Sequence, residues 1–119
     1  MQTPPNQLPP QVQKELEEFQ QVGQKLELLT QQKLTIENSI SEKESSIKEL
    51  ESMEEDATVY RQIGSILVKK GRNKVLEQLK DEKLTLEMRK KTLERNEPSL
   101  RKNYDELRLR IQKRLNTGT

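Results

Sequence analysis

Apolar residues recur with a seven-residue period along two long stretches of the chain, which flank a short central segment of different character. Between residues 12 and 57, ten of the fourteen first and fourth heptad positions are apolar, from Val12 through Ala57. After the central segment, a leucine stands at every seventh position, namely Leu79, Leu86, Leu93, Leu100 and Leu107. A sustained heptad repeat is typical of helices that pair in a coiled coil. The pattern therefore predicts two coiled-coil helices, over residues 11–55 and 72–116.

The central segment, VYRQIGSILVKKG at residues 59–71, changes to the period of two that is typical of strands. Its glycine and serine can form a two-residue turn with glycine first, which pairs residue 63 with 66, 61 with 68 and 59 with 70. One face then carries Val59, Ile63, Ile66 and Val68, interrupted by Arg61 and Lys70, and the other carries Tyr60, Gln62, Leu67 and Lys69. The pattern predicts a β-hairpin within residues 56–71.

The predicted hairpin has apolar residues on both faces, and an isolated two-stranded hairpin is only marginally stable in water. The outer edge of each strand also carries backbone donors and acceptors that the other strand of the same hairpin cannot pair. We therefore expect it to join hairpins of other chains in a shared sheet or barrel, as an oligomerisation element. The residues assigned to this role are Val59, Tyr60, Ile63, Gly64, Ile66, Leu67 and Val68. The alternative is a plain loop whose aliphatic side chains fold back onto the coiled coil.

The two helical stretches carry opposite charge. Residues 11–57 hold 5 basic and 12 acidic residues, a net charge of −7, whereas residues 58–119 hold 17 basic and 8 acidic residues, a net charge of +9. Opposite charge favours pairing of the two arms with each other over pairing of like arms. We expect an antiparallel coiled coil, in a register that places Glu37 near Lys90, Glu44 near Lys83 and Lys33 near Glu97.

Prolines mark the start of the pattern and one interior point. Four of the five lie in the first ten residues, which predicts a flexible N-terminus over residues 1–10, and we expect a disordered tail over 117–119. Pro98 falls inside the second helical stretch, where a proline removes a backbone hydrogen bond and clashes with the preceding turn. The heptad repeat continues beyond it, so we expect a kink or a local break, with Asn96 as a cap where the helix restarts. A helix that ends before Pro98 and is followed by a separate helix is the alternative.

The composition argues against several classes of function. The 119 residues include no cysteine and no histidine, which excludes disulfides, zinc sites of the usual kind and histidine-based catalysis. The four glycines are too scattered for a phosphate-binding loop or a dinucleotide-binding pattern. No apolar run reaches the length of a membrane span, and the N-terminus lacks the pattern of a secretory signal. We therefore expect a soluble cytoplasmic protein that is not an enzyme, holds no metal or other cofactor and binds no membrane.

Both chain ends are expected to meet at the far end of the coiled coil, where they bring more apolar residues than a heptad seam requires. These residues are Leu8, Val12, Leu16, Phe19, Leu107, Ile111 and Leu115. A surplus of apolar residues at a fraying helix end suits the weak capture of exposed hydrophobic segments of unfolded proteins. The alternative is that these residues only close the end of the coiled coil.

The combination of a coiled coil with one central hairpin resembles the beta-type subunits of the prefoldin family, particularly the archaeal ones. The resemblance rests on DATVYRQIGSILVK at residues 56–69, RKKTLER at 89–95 and LPPQVQKELEEFQQ at 8–21. Alpha-type subunits carry two hairpins between their helices, whereas only one can be drawn here. The resemblance implies a mainly α fold, in which a long antiparallel two-helix coiled coil carries a central β-hairpin that joins an intersubunit β-barrel.

The same resemblance implies a function. The expected assembly is a hexamer of two alpha-type and four beta-type subunits, an ATP-independent chaperone that captures unfolded polypeptides at the coiled-coil tips. It would deliver them to a group II chaperonin. By position, Tyr60, Ile63, Ile66 and Val68 would contribute to the barrel, with Gly64 at the turn. The alternative is a structural coiled-coil adaptor or scaffold that binds no client.

The run LRLRIQKR at residues 107–114 is strongly basic and invites comparison with nucleic-acid-binding helices. The chain has only three aromatic residues for base stacking, and this basic arm has an acidic arm to face. We therefore expect a solvated helix face and no nucleic-acid partner. Docking to the chaperonin and weak polyanion binding are the alternatives.

Overall fold

The fold is mainly α-helical, with a single β-hairpin between two long helices in the described residues, 8–117, of the computed structural model. Helix α1 spans Pro10–Glu51, strand β1 spans Thr58–Ile63, strand β2 spans Ile66–Gly71 and helix α2 spans Arg72–Thr117. Both the mainly α class and the central hairpin confirm the sequence-based prediction. None of the helices in the described residues is long and apolar enough to cross a membrane.

Helix α1 begins at Pro10, one residue earlier than predicted. The amide of Gln13 donates to the carbonyl of Pro9 at 3.1 Å, which closes the first helical turn. Proline suits the first helical position because the N–H that it lacks would have no partner within the helix. The flexibility predicted for the N-terminus falls mostly on residues 1–7, which lie outside the described residues.

Helix α1 ends at Glu51, so the prediction of helix up to residue 55 is wrong. The last buried apolar residue of the repeat is Leu50, and the next two seam positions are Glu54 and Ala57, which have little apolar surface to bury. The side chain of Arg72 donates to the carbonyls of Leu50 at 2.8 Å and Glu51 at 3.2 Å. The carbonyl of Leu50 also accepts from the amide of Met53 at 3.1 Å. The bonds from Arg72 add to the pairing of the carbonyls at this helix C-terminus, and so they stabilise the end at this point.

Helix α2 continues without interruption through Pro98, so the predicted local break and the restart at Asn96 are both wrong. Pro98 is exposed, and water can therefore solvate the carbonyl of Glu94 that loses its usual amide partner. The alternative of two separate helices is wrong for the same reason. At the C-terminus, α2 includes Thr117, which was expected in a disordered tail; the rest of that tail, residues 118–119, lies outside the described residues.

The chain divides into two compact units. The end unit comprises residues 1–32 and 93–119, and the hairpin unit comprises residues 33–92. The buried apolar residues of the end unit are Val12, Val22, Leu26, Leu29, Leu107 and Ile111, and those of the hairpin unit are Ile36, Ile47, Leu50, Val75 and Leu79. All of them except Val75 stand at predicted seam positions, so the heptad pattern identified the buried stripe of each helix.

Charged pairs within the hairpin unit establish the antiparallel register of its helices. The ammonium of Lys83 lies 3.4 Å from the carboxylate of Glu44, and that of Lys90 lies 3.5 Å from Glu37. Both pairs were predicted from the sequence and are confirmed. The third predicted pair, between Lys33 and Glu97, stays a prediction.

Candidate functional site

The hairpin has the register that its sequence predicts. Ile63 pairs with Ile66 across the turn, and the pairing continues to Thr58 with Gly71 at the base. Gly64 has a φ of 61° and Ser65 does not have a positive φ, which identifies a type II′ turn with glycine first. This turn suits a hairpin because its twist matches that of the flanking strands.

The two faces of the hairpin differ sharply in exposure. The face that carries Val59 and Arg61 is half-buried against the rest of the hairpin unit. On the opposite face, Tyr60 is 67% exposed and Leu67 is 69% exposed, and at the turn Ile63 and Ile66 are also exposed. The predicted oligomerisation residues therefore fall into two sets. Tyr60, Ile63, Gly64, Ile66 and Leu67 are exposed, and Val59 and Val68 are half-buried.

Some backbone N–H and C=O groups near the turn also point outward, away from the partner strand. A two-residue turn makes Ile63 and Ile66 a hydrogen-bonded pair, and such pairs alternate with pairs whose N–H and C=O groups point away from the partner strand. The bond from the amide of Arg72 to the carbonyl of Ala57, at 3.0 Å, continues that alternation at the base. Next to the exposed turn, the outward-pointing groups belong to Tyr60, Gln62, Leu67 and Lys69. Tyr60 and Leu67 thus combine exposed side chains with outward backbone groups, which is the arrangement needed to add a further strand.

A small apolar core supports the base of the hairpin. Ile47, Leu50, Val75 and Leu79 form a buried cluster, and Val59 of β1 packs against it. Val75 lies off the heptad seam, and it belongs to the buried cluster against which Val59 of the hairpin packs. The heptad pattern contains no signal for this contact.

A polar bridge joins the middle of β1 to α2. The guanidinium of Arg61 donates to both carboxylate oxygens of Glu82, at 2.5 and 2.7 Å, and to the side-chain oxygen of Gln78 at 3.1 Å. Lys70 donates to the same Gln78 oxygen at 3.3 Å, and Lys43 lies 3.5 Å from Glu82. The sequence pattern does not predict this bridge. Its available signals were the charged interruptions of an apolar strand face and the four-residue spacing of Gln78 and Glu82.

The apolar residues predicted to bind clients have three different degrees of burial in the end unit. The buried ones are Val12, Leu107 and Ile111, the half-buried ones are Leu8, Leu16 and Phe19, and Leu115 is 52% exposed. The first three occupy the seam between the helices, where they hold the pair together. Direct contact with another molecule is open to Leu115 and to the half-buried group.

Polar and aromatic contacts reinforce the same seam. Glu15, which is only 5% exposed, accepts a hydrogen bond from Arg114 at 2.9 Å. The rings of Phe19 and Tyr104 stack with centroids 4.6 Å apart, and a Cβ added to Gly23 would lie 3.4 Å from the Tyr104 ring. Part of the basic run at residues 107–114 therefore faces the acidic helix, as the charge pattern indicates.

Comparison with known proteins gives a consistent result over nearly the whole chain. The family model described as Prefoldin subunit matches residues 13–118. The chain is 34% identical to a prefoldin subunit beta of Methanosarcina acetivorans over 110 residues, which are 92% of this chain and 94% of that protein. It is 38% identical to a prefoldin subunit beta of Saccharolobus islandicus over 109 residues, 92% of this chain and 86% of that protein.

The fold is also similar to a solved structure. The crystal structure of the prefoldin beta subunit from Thermococcus strain KS-1 matches with a TM-score of 0.77 and 36% sequence identity. The match covers 95% of this chain and 96% of that one.

Proposed function

Because this chain belongs to the prefoldin family, whose members are chaperone subunits, we propose that it acts as a beta-type subunit of a holdase assembly. The assembly captures unfolded polypeptides without ATP and delivers them to a group II chaperonin in the cytoplasm. The observation that carries the proposal is the hairpin, whose exposed apolar face needs a partner. The family is not one of enzymes, and the proposed role requires no cofactor, no nucleic acid and no membrane.

Assembly is assigned to the hairpin. A face with Tyr60 and Leu67 more than two-thirds exposed is costly to leave in water, since burial of apolar surface is worth roughly 25 cal/mol per Å². The outward backbone groups of the same residues can be paired by strands of neighbouring subunits. The partners are an alpha-type prefoldin subunit and further copies of this chain, as a hexamer of two alpha-type and four beta-type subunits whose hairpins form a β-barrel.

An assembly experiment tests this role directly. Full-length protein is mixed with an alpha-type subunit, and the mass in solution is measured for the wild type and for the double variant Tyr60→Ser, Leu67→Ser. We expect a hexamer for the wild type and smaller species of unchanged helicity for the variant. Ser65→Asn, an exposed substitution in the turn, is the control and should assemble normally. A wild-type chain that stays monomeric with its partner contradicts the proposal.

Client capture is assigned to the end unit. The candidate residues are Leu8, Val12, Leu16, Phe19, Leu107, Ile111 and Leu115. Leu115 and the half-buried Leu16 supply accessible apolar surface, while Val12, Leu107 and Ile111 become available only where the helix ends separate. Weak apolar contact of this kind is not specific for sequence, which suits the capture of varied unfolded chains.

Suppression of aggregation tests client capture. A denatured enzyme is diluted into buffer with the assembled complex, and light scattering is followed over time. The double variant Leu16→Gln, Leu115→Gln should assemble but suppress aggregation less than the wild type. Leu28→Gln is the matched control, because Leu28 is a 55% exposed leucine of the same unit that was not assigned to the client site. Unchanged scattering with the wild-type complex, at equal molar ratio and above, contradicts the holdase proposal.

The second candidate function is a structural coiled-coil adaptor that binds no client. The burial of Val12, Leu107 and Ile111 favours it, because these side chains are already occupied by the contact between helices. Removal of residues 1–19 and 107–119 separates the two functions. An adaptor should keep its assembly and its partner, whereas a holdase should assemble and lose capture.

A further inference from the structure

The hairpin contacts the helices at two levels. At its base, Val59 packs against the buried cluster of the hairpin unit. Two residues further along β1, which is roughly 7 Å nearer the turn, Arg61 reaches across to α2. Between these strands and the helix lies a cleft of about 540 Å³, which Arg61, Gln62 and Ile63 border on the hairpin side. Arg61 therefore spans a gap that apolar packing does not fill.

The two acceptors of Arg61 fix the orientation of its guanidinium relative to α2. Gln78 and Glu82 are four residues apart on α2, so their side chains lie on the same face in successive turns. The planar guanidinium uses one terminal nitrogen for Gln78 and the other for Glu82, at 3.1 Å and at 2.5 to 2.7 Å. A lysine could not reproduce this fork, because its ammonium is a single point of charge. The contact thus restrains the angle of the strand as well as its distance from the helix.

The neighbouring charges make this contact dependent on Glu82. Lys43 shares the Glu82 carboxylate, and Lys70 shares the Gln78 oxygen, so that three cations surround one carboxylate and one amide. Without the carboxylate, Arg61 would keep only the neutral side-chain oxygen of Gln78 as an acceptor, and Lys43 would lose its ion pair with Glu82. Loss of Glu82 should therefore loosen the strand, as loss of Arg61 should.

We propose that Arg61 is a positioning residue, which sets the angle at which the hairpin presents its exposed face to neighbouring subunits. Side chains alternate along a strand, so Tyr60 points away from α2 because Arg61 points toward it. An interface formed by several hairpins needs the same angle in each copy. This inference rests on the proposed role of the hairpin in assembly.

Orientation is measured on the full-length chain. The sequence has no cysteine, so spin labels can be placed at Ser65→Cys in the turn and Thr85→Cys on α2 without other changes. The distance distribution between the labels should be narrow in the wild type and clearly broader in Arg61→Met, Arg61→Lys and Glu82→Gln. A variant that only destabilised the fold would lose helicity instead, which circular dichroism detects. An equally narrow distribution in Arg61→Met overturns the inference.

Association with the alpha-type subunit is then measured for the same variants. We expect the dissociation constant of Arg61→Met to rise roughly tenfold, with Arg61→Lys intermediate. The double variant Arg61→Met, Glu82→Gln should be no weaker than the worse single variant, because both changes remove one contact. Lys80→Met is the matched control, since it removes a longer ion pair to Glu51, 4.0 Å, elsewhere in the same unit.

The outcomes separate this inference from the proposed function. If the wild type associates and Arg61→Met associates equally well, the positioning role is wrong and the assembly role stands. If the wild type itself fails to associate, the assembly role is wrong, and the positioning role falls with it. Broadened distances with unchanged affinity also contradict the inference, because the angle would then have no bearing on assembly.

Discussion

At the scale of single residues, the environment of each side chain decides whether its chemical type matters. Gly64 requires its lack of a side chain because its φ is positive, whereas Gly71 does not have a positive φ. Glu15 is a carboxylate in a seam of apolar residues and depends on Arg114 for its partner. Two residues of one type can therefore respond differently to the same substitution.

Gly64→Ala should destabilise the hairpin, and Gly71→Ala should not. An L-residue in the left-handed region costs about 1–2 kcal/mol, and no atom lies within 4 Å of a Cβ added at either position, so the backbone alone accounts for the difference. Hydrogen exchange of the strand amides measures it. Equal exchange rates in the two variants would contradict the assignment of the turn.

The buried ion pair of the end unit should respond asymmetrically. Arg114→Met leaves the carboxylate of Glu15 buried without its partner, which costs about 1–3 kcal/mol. Glu15→Leu removes the buried charge and leaves Arg114, whose side chain is 38% exposed, in contact with water, so it should be neutral or stabilising. Thermal unfolding followed by circular dichroism compares the two. Equal losses of stability in the two variants would contradict this expectation.

For whole elements, the heptad repeat accounts for the helices, and contacts outside the repeat account for the departures from it. The repeat predicts the seam residues because each needs only the facing helix to be buried. Val75 lies off the seam, in the cluster against which the hairpin packs, and the end of α1 at Glu51 is stabilised by the guanidinium of Arg72. The repeat also continues across Pro98, where the exposed position makes an unbroken helix tolerable.

The apolar cluster under the hairpin should be the main source of stability in its unit. Leu79→Ala removes a buried side chain from that cluster and should cost about 2–3 kcal/mol. Leu84→Ala, at a 56% exposed leucine of the same helix, is the control and should change stability by less than about 0.5 kcal/mol. Urea unfolding monitored by helicity gives both values. A similar loss in both variants would mean that the cluster is not the core.

At the scale of the whole molecule, the chain carries one candidate surface for assembly and another for clients. The hairpin supplies the first, and the accessible apolar residues of the end unit supply the second. Of the candidate client residues, Leu115 alone is exposed, so the contact that we propose between a single end unit and an unfolded chain is weak. In the proposed assembly, several end units would bind the same chain at once, which would raise the overall affinity without any new contact.

Loss of assembly should therefore abolish capture even when the end unit is intact. Tyr60→Ser, Leu67→Ser leaves every candidate client residue unchanged but prevents the several end units from acting together. We expect at least a hundredfold weaker binding of an unfolded client, within the range that multivalency contributes. Fluorescence titration with a labelled, permanently unfolded protein measures this. Client affinity that equals that of the wild-type complex would show that one end unit is sufficient.

The order of residues along the chain is sufficient to predict the two helices, the hairpin with its type II′ turn and two of the charged pairs between the helices. These features follow from local periodicity, from one glycine and from the opposite charge of the two arms, all of which are readable along the chain. It also identified Tyr60 and Leu67 as one face of the hairpin, since alternation along a strand requires no tertiary contact.

The accessibility of the candidate residues and the position of the hairpin depend instead on contacts between elements that are distant along the chain. Val12, Leu107 and Ile111 are buried because the facing helix covers them. Their sequence pattern would be the same if a client covered them instead. The bridge from Arg61 to Glu82 joins residues 21 positions apart in two different elements. Its geometry depends on how the strand lies over the helix, which no periodicity along either element encodes.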